Sequence, residues 1–103
     1  MKDLERKLKK CGDFENRIVI IEGVFSMEGT IPDLKECVRL CKKYKARFFL
    51  DDCHGIGVLG KTGRGAIEHR GINVDDVDLI IGTLSKAFGG GGGGYVAGKF
   101  DVI

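Results

Sequence analysis

The chain is 103 residues long, enough for one hydrophobic core, and its 43% hydrophobic and 31% charged residues are typical of a folded protein and exclude a disordered one. A net charge of +2, with basic and acidic residues interspersed, gives no sign of a nucleic-acid partner. The four cysteines lack CxxC spacing, which favours a reducing compartment, and no apolar run is long enough for a membrane span or a signal peptide.

The first predicted element is a short helix over Met1 to Lys10. Leu4 and Leu8 are one helical turn apart among lysines and arginines, so the helix has a narrow apolar stripe and a solvated basic face. Such a stripe is too narrow for a membrane-binding helix. We therefore interpret the segment as a surface helix.

A strand, a helix and a second strand follow. Between Arg17 and Glu22 the sequence is apolar and β-branched, which predicts a strand covered on both faces within a parallel sheet. Thr30 and Pro32 mark the start of an amphipathic helix that reaches Tyr44. The apolar run Ala46 to Leu50 predicts the second strand, which makes the whole segment a right-handed βαβ unit.

Two cysteines of this helix raise the question of a metal site. Cys37 and Cys41 are one turn apart, and together with Cys53 and His54 they could supply zinc ligands. Both lie on the apolar side of the helix, where buried cysteine is common. The sequence therefore predicts two core residues and no metal site.

The second half of the chain contains two further strands. They are predicted at Leu79 to Thr83 and at Gly94 to Ala97, with a glycine-rich loop and a short helix near Ala66 to His69 ahead of them. Ligands of an open parallel sheet bind beyond the carboxyl ends of its strands. The polar residues that follow such ends are the candidate site: Ser26, Asp51, His54 and Lys86.

Two glycine-rich segments resemble phosphate-binding loops. Gly55 to Thr62 (GIGVLGKT) matches GxxxxGKT, and its first six residues match GxGxxG. A phosphate loop needs a strand leading into its first glycine and a sustained helix after its lysine, whereas Gly63 and Gly65 interrupt any such helix. A P-loop nucleotide-binding module is therefore a disfavoured alternative. The run Gly89 to Gly94 predicts a tight turn with close backbone approach.

The candidate residues match the needs of pyridoxal phosphate. Lys86 lies just after an apolar strand, where partial desolvation favours the uncharged amine that forms a Schiff base with the cofactor aldehyde. Asp51 ends the second strand and can pair with the protonated pyridine nitrogen. His54 can donate a hydrogen bond to the ring oxygen or cover the ring. Each residue alone is more often a turn or surface group, so the prediction depends on the combination.

Four motifs in order along the chain resemble the α-oxoamine synthases, fold-type I pyridoxal-phosphate enzymes that condense an amino acid with an acyl-CoA. They are Glu22 to Gly29 (EGVFSMEG), Asp51 to Gly57 (DDCHGIG), Gly63 to Gly65 (GRG) and Gly82 to Lys86 (GTLSK). The resemblance covers nearly the whole chain. It implies an α/β fold, part of the large cofactor-binding domain of an aminotransferase-like enzyme, with a mainly parallel sheet and crossover helices.

The resemblance also implies a role for each matching residue. Lys86 would be the Schiff-base lysine and, with His54, a catalytic residue. Asp51 would pair with the pyridine nitrogen, His54 and Ser26 would contact the ring oxygen, and Thr83 would contact the cofactor near its phosphate.

Two positions depart from the usual family pattern without altering this chemistry. Cys53 stands where alanine is usual, and Asp52 stands where glutamate is common.

The resemblance is strongest to serine palmitoyltransferase, an enzyme of sphingolipid biosynthesis, at Glu68 to Leu79 and Lys43 to Arg47. Glycine C-acetyltransferase and 8-amino-7-oxononanoate synthase are alternatives, and a non-catalytic scaffold subunit is an alternative that the presence of Lys86 disfavours. The implied partners are an amino acid, an acyl-CoA, and an identical or related subunit in a dimer. The implied location is the cytoplasm, or the cytosolic face of the endoplasmic reticulum for a eukaryotic serine palmitoyltransferase.

Residues 1–103 are expected to form part of one pyridoxal-phosphate-binding domain. The family's upstream histidine segment, which stacks on the ring, and its downstream carboxylate-binding arginine have no counterpart in this sequence. We therefore expect residues 1–103 alone to show no turnover.

Overall fold

Short helices and strands alternate in the computed structural model, which describes residues 1–12 and 14–103. The helices are α1 (Lys2–Lys10), α2 (Leu34–Lys43) and α3 (Gly65–Arg70), and the strands are β1 (Ile18–Glu22), β2 (Arg47–Asp51), β3 (Leu79–Thr83) and β4 (Gly94–Gly98). Each predicted element is present, with strand ends within one residue of the prediction. A 3-10 turn over Val74–Asp76, which the sequence did not indicate, leads into β3.

The start of α2 differs from the prediction. The helix begins at Leu34, and its N-cap is Asp33, whose side chain accepts a hydrogen bond of 3.1 Å from the backbone N–H of Glu36. A carboxylate at this position satisfies an amide that has no partner within the helix. Thr30 and Pro32 therefore lie in the approach to the helix and do not cap it.

The four strands form one mixed sheet in the order β1-β2-β3-β4. β1, β2 and β3 are parallel, which confirms the predicted α/β fold with a mainly parallel sheet, whereas β4 is antiparallel to β3. The segment 84–93 joins β3 and β4 without a helix in it. A parallel return needs a crossover of about a dozen residues or more, usually helical, so this link produces a hairpin.

The core lies on one face of the sheet. Helix α2 buries Leu34, Leu40 and the two cysteines against Phe48 and Leu50 of β2, and Leu8 of α1 and Ala66 of α3 join the same cluster. Because alternate residues of a strand point to opposite faces, the helices cover only every second residue of the sheet.

The other face of the sheet is not covered by the described residues. Ile18 and Ile20 of β1 are 55% and 66% exposed, and Val96 of β4 is 54% exposed. The prediction that β1 is covered on both faces is therefore wrong for this chain, because α1, α2 and α3 all pack against the face that carries Val19.

The cysteines of α2 behave as core residues. Burial raises the pKa of the Cys37 thiol to about 11 and that of the Cys41 thiol to about 12, so both remain protonated. Across residues 1–12 and 14–103, no cluster of three or more His, Cys, Asp or Glu side chains is placed to hold a metal ion. Within the same residues, every helix is too short or too polar to cross a membrane.

Candidate active site

The candidate site lies where three parallel strands end together. Glu22 of β1 is in register with Asp51 of β2, and Asp51 is in register with Ile81 of β3. Because the three strands run in the same direction, the loops that follow them emerge at one edge of the sheet. These loops carry Ser26, His54 and Lys86.

Lys86 and His54 meet across this edge. The Nζ atom of Lys86 is 3.0 Å from Nε2 of His54, although the two residues are on loops that follow different strands. The contact is a hydrogen bond in which the lysine or the imidazole can donate, depending on protonation and tautomer. Lys86 is exposed within the described chain, so the partial desolvation expected from its sequence setting is absent there.

Asp51 presents a partly buried carboxylate at the end of β2, the strand that His54 follows. One oxygen, Oδ1, accepts a hydrogen bond of 3.1 Å from the backbone N–H of Cys53. Burial and a hydrogen bond to Asp51 raise the pKa of the Cys53 thiol to about 11, so the thiol stays neutral beside the acid. Asp51 makes no ion pair with any side chain of the described residues, which leaves its charge available for a cationic ligand.

The two predicted hydroxyl residues, Ser26 and Thr83, do not contact the other predicted site residues through hydrogen bonds among the described residues. Ser26 is exposed in the loop after β1. Thr83 is buried at the end of β3, where its Oγ1 lies 2.8 Å from Oγ of Ser85 and donates to the Gly93 carbonyl at 3.2 Å. Thr83 therefore shapes the turn that carries Lys86. Among the described residues, neither hydroxyl is hydrogen-bonded to Lys86, His54 or Asp51.

The glycine loop after β2 supports the lysine segment from one side. Gly57 has a φ of +78°, and a Cβ atom there would lie 2.7 Å from Cβ of Ala87, the residue after Lys86. The loop is closed by a hydrogen bond from the Gly57 N–H to the Gly63 carbonyl, at 2.9 Å. This close backbone approach, which only glycine permits, fixes the distance between the loop and the lysine turn.

A carboxylate occupies the part of this loop where a phosphate loop would hold phosphate. Glu68 accepts hydrogen bonds from the backbone N–H groups of Thr62 and Arg64, each at 3.1 Å, and from the Thr62 hydroxyl at 3.0 Å. These bonds lower the pKa of Glu68, although its partial burial acts in the opposite direction. A fixed negative group on these amides repels phosphate, so the geometry disfavours the nucleotide-binding alternative.

The glycine run after Lys86 forms the expected tight turn. The Gly90 N–H donates to the Leu84 carbonyl at 2.7 Å, the Gly89 N–H donates to the Lys86 carbonyl at 2.9 Å, and the Leu84 N–H donates to the Gly93 carbonyl at 3.0 Å. A Cβ at position 90 would lie 2.7 Å from the Leu84 oxygen. The lysine is therefore held in a hydrogen-bonded loop between β3 and β4.

One cavity of the described chain lies away from the candidate site. It has a volume of about 470 Å³ and lies between α3 and β3, without any of the candidate site residues in its wall. Its wall is formed by Arg64, Ile67, Glu68, Ile72, Asn73, Val74 and Ile80. Because Glu68 is already engaged by the glycine loop, this cavity offers few free polar groups and is not our candidate site.

Sequence reasoning missed the roles of Ser85 and Glu68, which organise the loops on either side of the lysine. A weak signal was present for Ser85, since a hydroxyl two residues after Thr83 favours a local turn. Glu68 had no such signal, because its partners in the loop are set by tertiary structure.

The residues at this edge are compatible with pyridoxal phosphate. The donor set comprises one amine, one carboxylate without an ion-pair partner and one imidazole, and two of these groups are already in contact. An aldehyde needs the amine, a pyridinium nitrogen needs the carboxylate, and a ring oxygen is served by the imidazole. The chemistry of the donor set therefore fits the cofactor that the sequence predicted.

Comparison with known proteins identifies one family model and several relatives that match the whole chain. A family model described as aminotransferase class I and II matches residues 1–103. The 8-amino-7-oxononanoate synthase of Thermosipho melanesiensis is 52% identical over 103 residues, which make up 100% of this chain and 26% of that protein. The serine palmitoyltransferase of Bacteroides ovatus is 46% identical over the same length, again 26% of that protein.

A solved structure extends the similarity to the fold. Serine palmitoyltransferase from S. paucimobilis, with a bound PLP-myriocin aldimine, matches with a TM-score of 0.85 at 36% identity, covering 94% of this chain and 24% of that one. The resemblance to α-oxoamine synthases is thereby confirmed. The chain spans about a quarter of the length of these relatives, and two differently named activities match it at similar identity.

Proposed function

Since the chain belongs to the aminotransferase class I and II family, we propose that it supplies the cofactor-holding part of an α-oxoamine synthase, an enzyme that condenses an amino acid with an acyl-CoA. The observation that carries this proposal is the contact between Lys86 and His54, at 3.0 Å, at the edge of the sheet where β2 ends at Asp51. In this proposal, the amine of Lys86 and the carboxylate of Asp51, which come from neighbouring strand ends, bind opposite ends of one aromatic ring.

Each residue has a distinct task in this proposal. Lys86 is the amine that holds the cofactor aldehyde, and the same Nζ can accept and return a proton at the α-carbon of the amino acid. Asp51 keeps the pyridine nitrogen protonated, and His54 orients the lysine and contacts the ring. When bound, pyridoxal phosphate supplies an electron sink for negative charge at that carbon.

The first test is cofactor binding by the full-length protein that contains this chain. Adding pyridoxal phosphate is expected to produce an absorbance band near the visible edge, and Lys86→Ala should abolish the band because no other amine occupies this position. Lys61→Ala is the matched control, since Lys61 is an exposed lysine of the glycine loop. A band that persists in Lys86→Ala contradicts the proposal, and ATP binding that depends on Lys61 favours the nucleotide-binding module.

For the substrates, we propose L-serine and palmitoyl-CoA, as the name serine palmitoyltransferase states for one set of relatives. The second candidate is 8-amino-7-oxononanoate synthesis, favoured by the 52% identical relative. The name of that nine-carbon product indicates a two-carbon unit from alanine joined to a seven-carbon dicarboxylic acyl group.

A CoA-release assay distinguishes the two specificities. The full-length protein is given L-serine with palmitoyl-CoA, or L-alanine with the seven-carbon dicarboxylic acyl-CoA, and free thiol is measured. Faster release with the first pair supports serine palmitoyltransferase, whereas faster release with the second pair reverses the order of the candidates. Glycine with acetyl-CoA tests the C-acetyltransferase alternative. Cofactor binding without release from any pair supports the scaffold-subunit alternative.

A further inference from the structure

Asp52 is a buried acid directly behind the candidate site. It is 2% exposed, and its Oδ2 accepts a hydrogen bond of 2.8 Å from the backbone N–H of Ala66, at the start of α3. Its own backbone N–H donates to Ile81 of β3 at 2.9 Å, and its carbonyl accepts from Gly55 and Ile56 at 3.0 and 2.9 Å. One residue therefore contacts β3, the loop after β2 and α3.

Three glycines from different segments close around the Asp52 carboxyl group. A Cβ atom at Gly23, Gly55 or Gly65 would lie 2.2, 2.1 or 1.9 Å from one of its two oxygens, too close for any side chain. Gly23 directly follows β1, Gly55 follows β2, and Gly65 starts α3. The carboxyl group is thus the spacer that sets how closely these three backbones approach.

The segments that Asp52 separates are those that frame the candidate site. The Gly23 segment leads to Ser26, and Gly55 is adjacent to His54. The Gly65 segment closes the loop whose Gly57 contacts Ala87, next to Lys86. A change in the size of the spacer would therefore move the imidazole and the lysine relative to each other.

We infer that Asp52 is a positioning residue, which holds His54 and the lysine turn at the separation that the cofactor requires. It acts through the three glycine segments and touches neither Lys86 nor the cofactor. Its Oδ1 has no hydrogen-bond partner among the described residues, so the site selects the shape of the side chain more than its charge. This inference rests on the proposed function for the identity of the ligand.

The test uses the full-length protein freed of cofactor, and compares Asp52→Ala, Asp52→Asn and Asp78→Ala. Asp78 is the matched control, because it is a buried acid at the opposite end of β3, hydrogen-bonded to the Phe48 N–H at 2.7 Å. The readouts are the dissociation constant of pyridoxal phosphate, from its absorbance, and amide hydrogen exchange at residues 23–26 and 53–57.

We expect Asp52→Ala to weaken cofactor binding by about tenfold or more and to accelerate exchange in both segments, because the loops lose their spacer. Asp52→Asn, which keeps the shape, should restore both, and Asp78→Ala should leave both unchanged even where it destabilises the protein. Wild-type affinity in Asp52→Ala, or an equal loss in Asp78→Ala, overturns the inference.

The inference can still be tested if Asp52→Ala does not fold or if the wild-type protein does not bind the cofactor. If Asp52→Ala does not fold, Gly55→Ala is the substitute variant, because its new Cβ would displace the same carboxyl group. Wild-type affinity for pyridoxal phosphate in Gly55→Ala also overturns the inference. If the wild-type protein binds no pyridoxal phosphate, the proposed function fails. The hydrogen-exchange comparison in the cofactor-free protein still decides whether Asp52 positions the loops.

Discussion

Two buried acids of this chain have pKa values that are shifted in opposite directions. Burial, opposed by the Ala66 hydrogen bond and reinforced by the nearby Asp51, raises the pKa of Asp52 above its ordinary 3.8. Burial also acts to raise the pKa of Asp78, but the Phe48 N–H, Lys99 and Arg47 outweigh it, and the net effect is a lowered pKa. The difference lies in the neighbours, since Asp78 has two cations within 3.2 Å and Asp52 has none among the described residues.

This difference predicts opposite pH dependences for the two amide variants. The stability that Asp52 contributes is fully present below its unfolded pKa and is lost as pH rises through the raised folded value. The stability from Asp78 is present above its unfolded pKa and is lost as pH falls through the lowered folded value. Going from about pH 3 to about pH 7, the unfolding free energy of Asp52→Asn should therefore rise relative to wild type, while that of Asp78→Asn should fall.

Urea unfolding of wild type and both variants at several pH values measures these differences. Subtracting wild type at each pH cancels the titration of all other groups. Parallel trends for the two variants would show that the environments of the two acids are not as described.

The sequence indicated the residues of the candidate site more completely than their surroundings. The proximity of Lys86 and His54 could be predicted because each follows an apolar strand, and parallel strands bring such positions to one edge. The roles of Lys86, His54 and Asp51 toward a cofactor stay predictions. The spacer role of Asp52 could not be predicted, because it depends on glycines that are separated along the chain and meet only in the fold. The exposure of Lys86 also differed from the expectation, since desolvation depends on what covers a residue.

At the scale of elements, the strands and helices were predictable from periodicity, whereas the direction of β4 was not. A run of four or five residues has the same pattern in either direction, and the connection decides between them. The start of α2 was also displaced, because Asp33, Thr30 and Pro32 are all compatible with a helix start, and the position of the chain against the sheet selects one of them.

The contact between the glycine loop and the lysine turn predicts the effect of one added methyl group. In Gly57→Ala, the new Cβ would lie 2.7 Å from that of Ala87, at a backbone φ of +78°. We expect a displaced lysine turn, a loss of about 1 to 3 kcal/mol in unfolding free energy, and weaker cofactor binding.

Gly29→Ala provides the control for backbone strain. Gly29 has a φ of +65°, but a Cβ there would have no neighbour within 4 Å in the part of the chain that the structure describes. That variant should lose stability through strain alone and keep its affinity for pyridoxal phosphate. Equal affinities for the two variants in an absorbance titration would exclude a role for the loop contact in placing Lys86.

At the scale of the whole molecule, residues 1–12 and 14–103 leave one apolar face of the sheet without cover. Ile18, Ile20 and Val96 lie on this face, together with Asp51 at its edge. Three-layer α/β proteins cover both faces of such sheets with helices. The chain spans about a quarter of the length of its relatives.

We therefore expect residues 1–103 alone to release no CoA from serine, glycine or alanine with any acyl-CoA, even if they bind pyridoxal phosphate weakly. The physical reason is that the amine and the acid are present, whereas a group to bind the substrate carboxylate is not among the predicted site residues. The full-length protein, assayed in parallel for thiol release, is the positive control. Measurable turnover by the short chain would mean that the site is complete without further segments.

The two acids at the end of β2 illustrate how much depends on strand pairing. Asp51 and Asp52 are consecutive, yet Asp51 is partly exposed at the edge of the sheet, whereas Asp52 is buried between Gly23, Gly55 and Gly65. A slip of β2 by a single residue against β1 and β3 would exchange their surroundings, which would bury Asp51 in the interior and expose Asp52 to water. The hydrogen-bond ladder that aligns Glu22, Asp51 and Ile81 therefore decides which of two chemically identical side chains is available to the ligand.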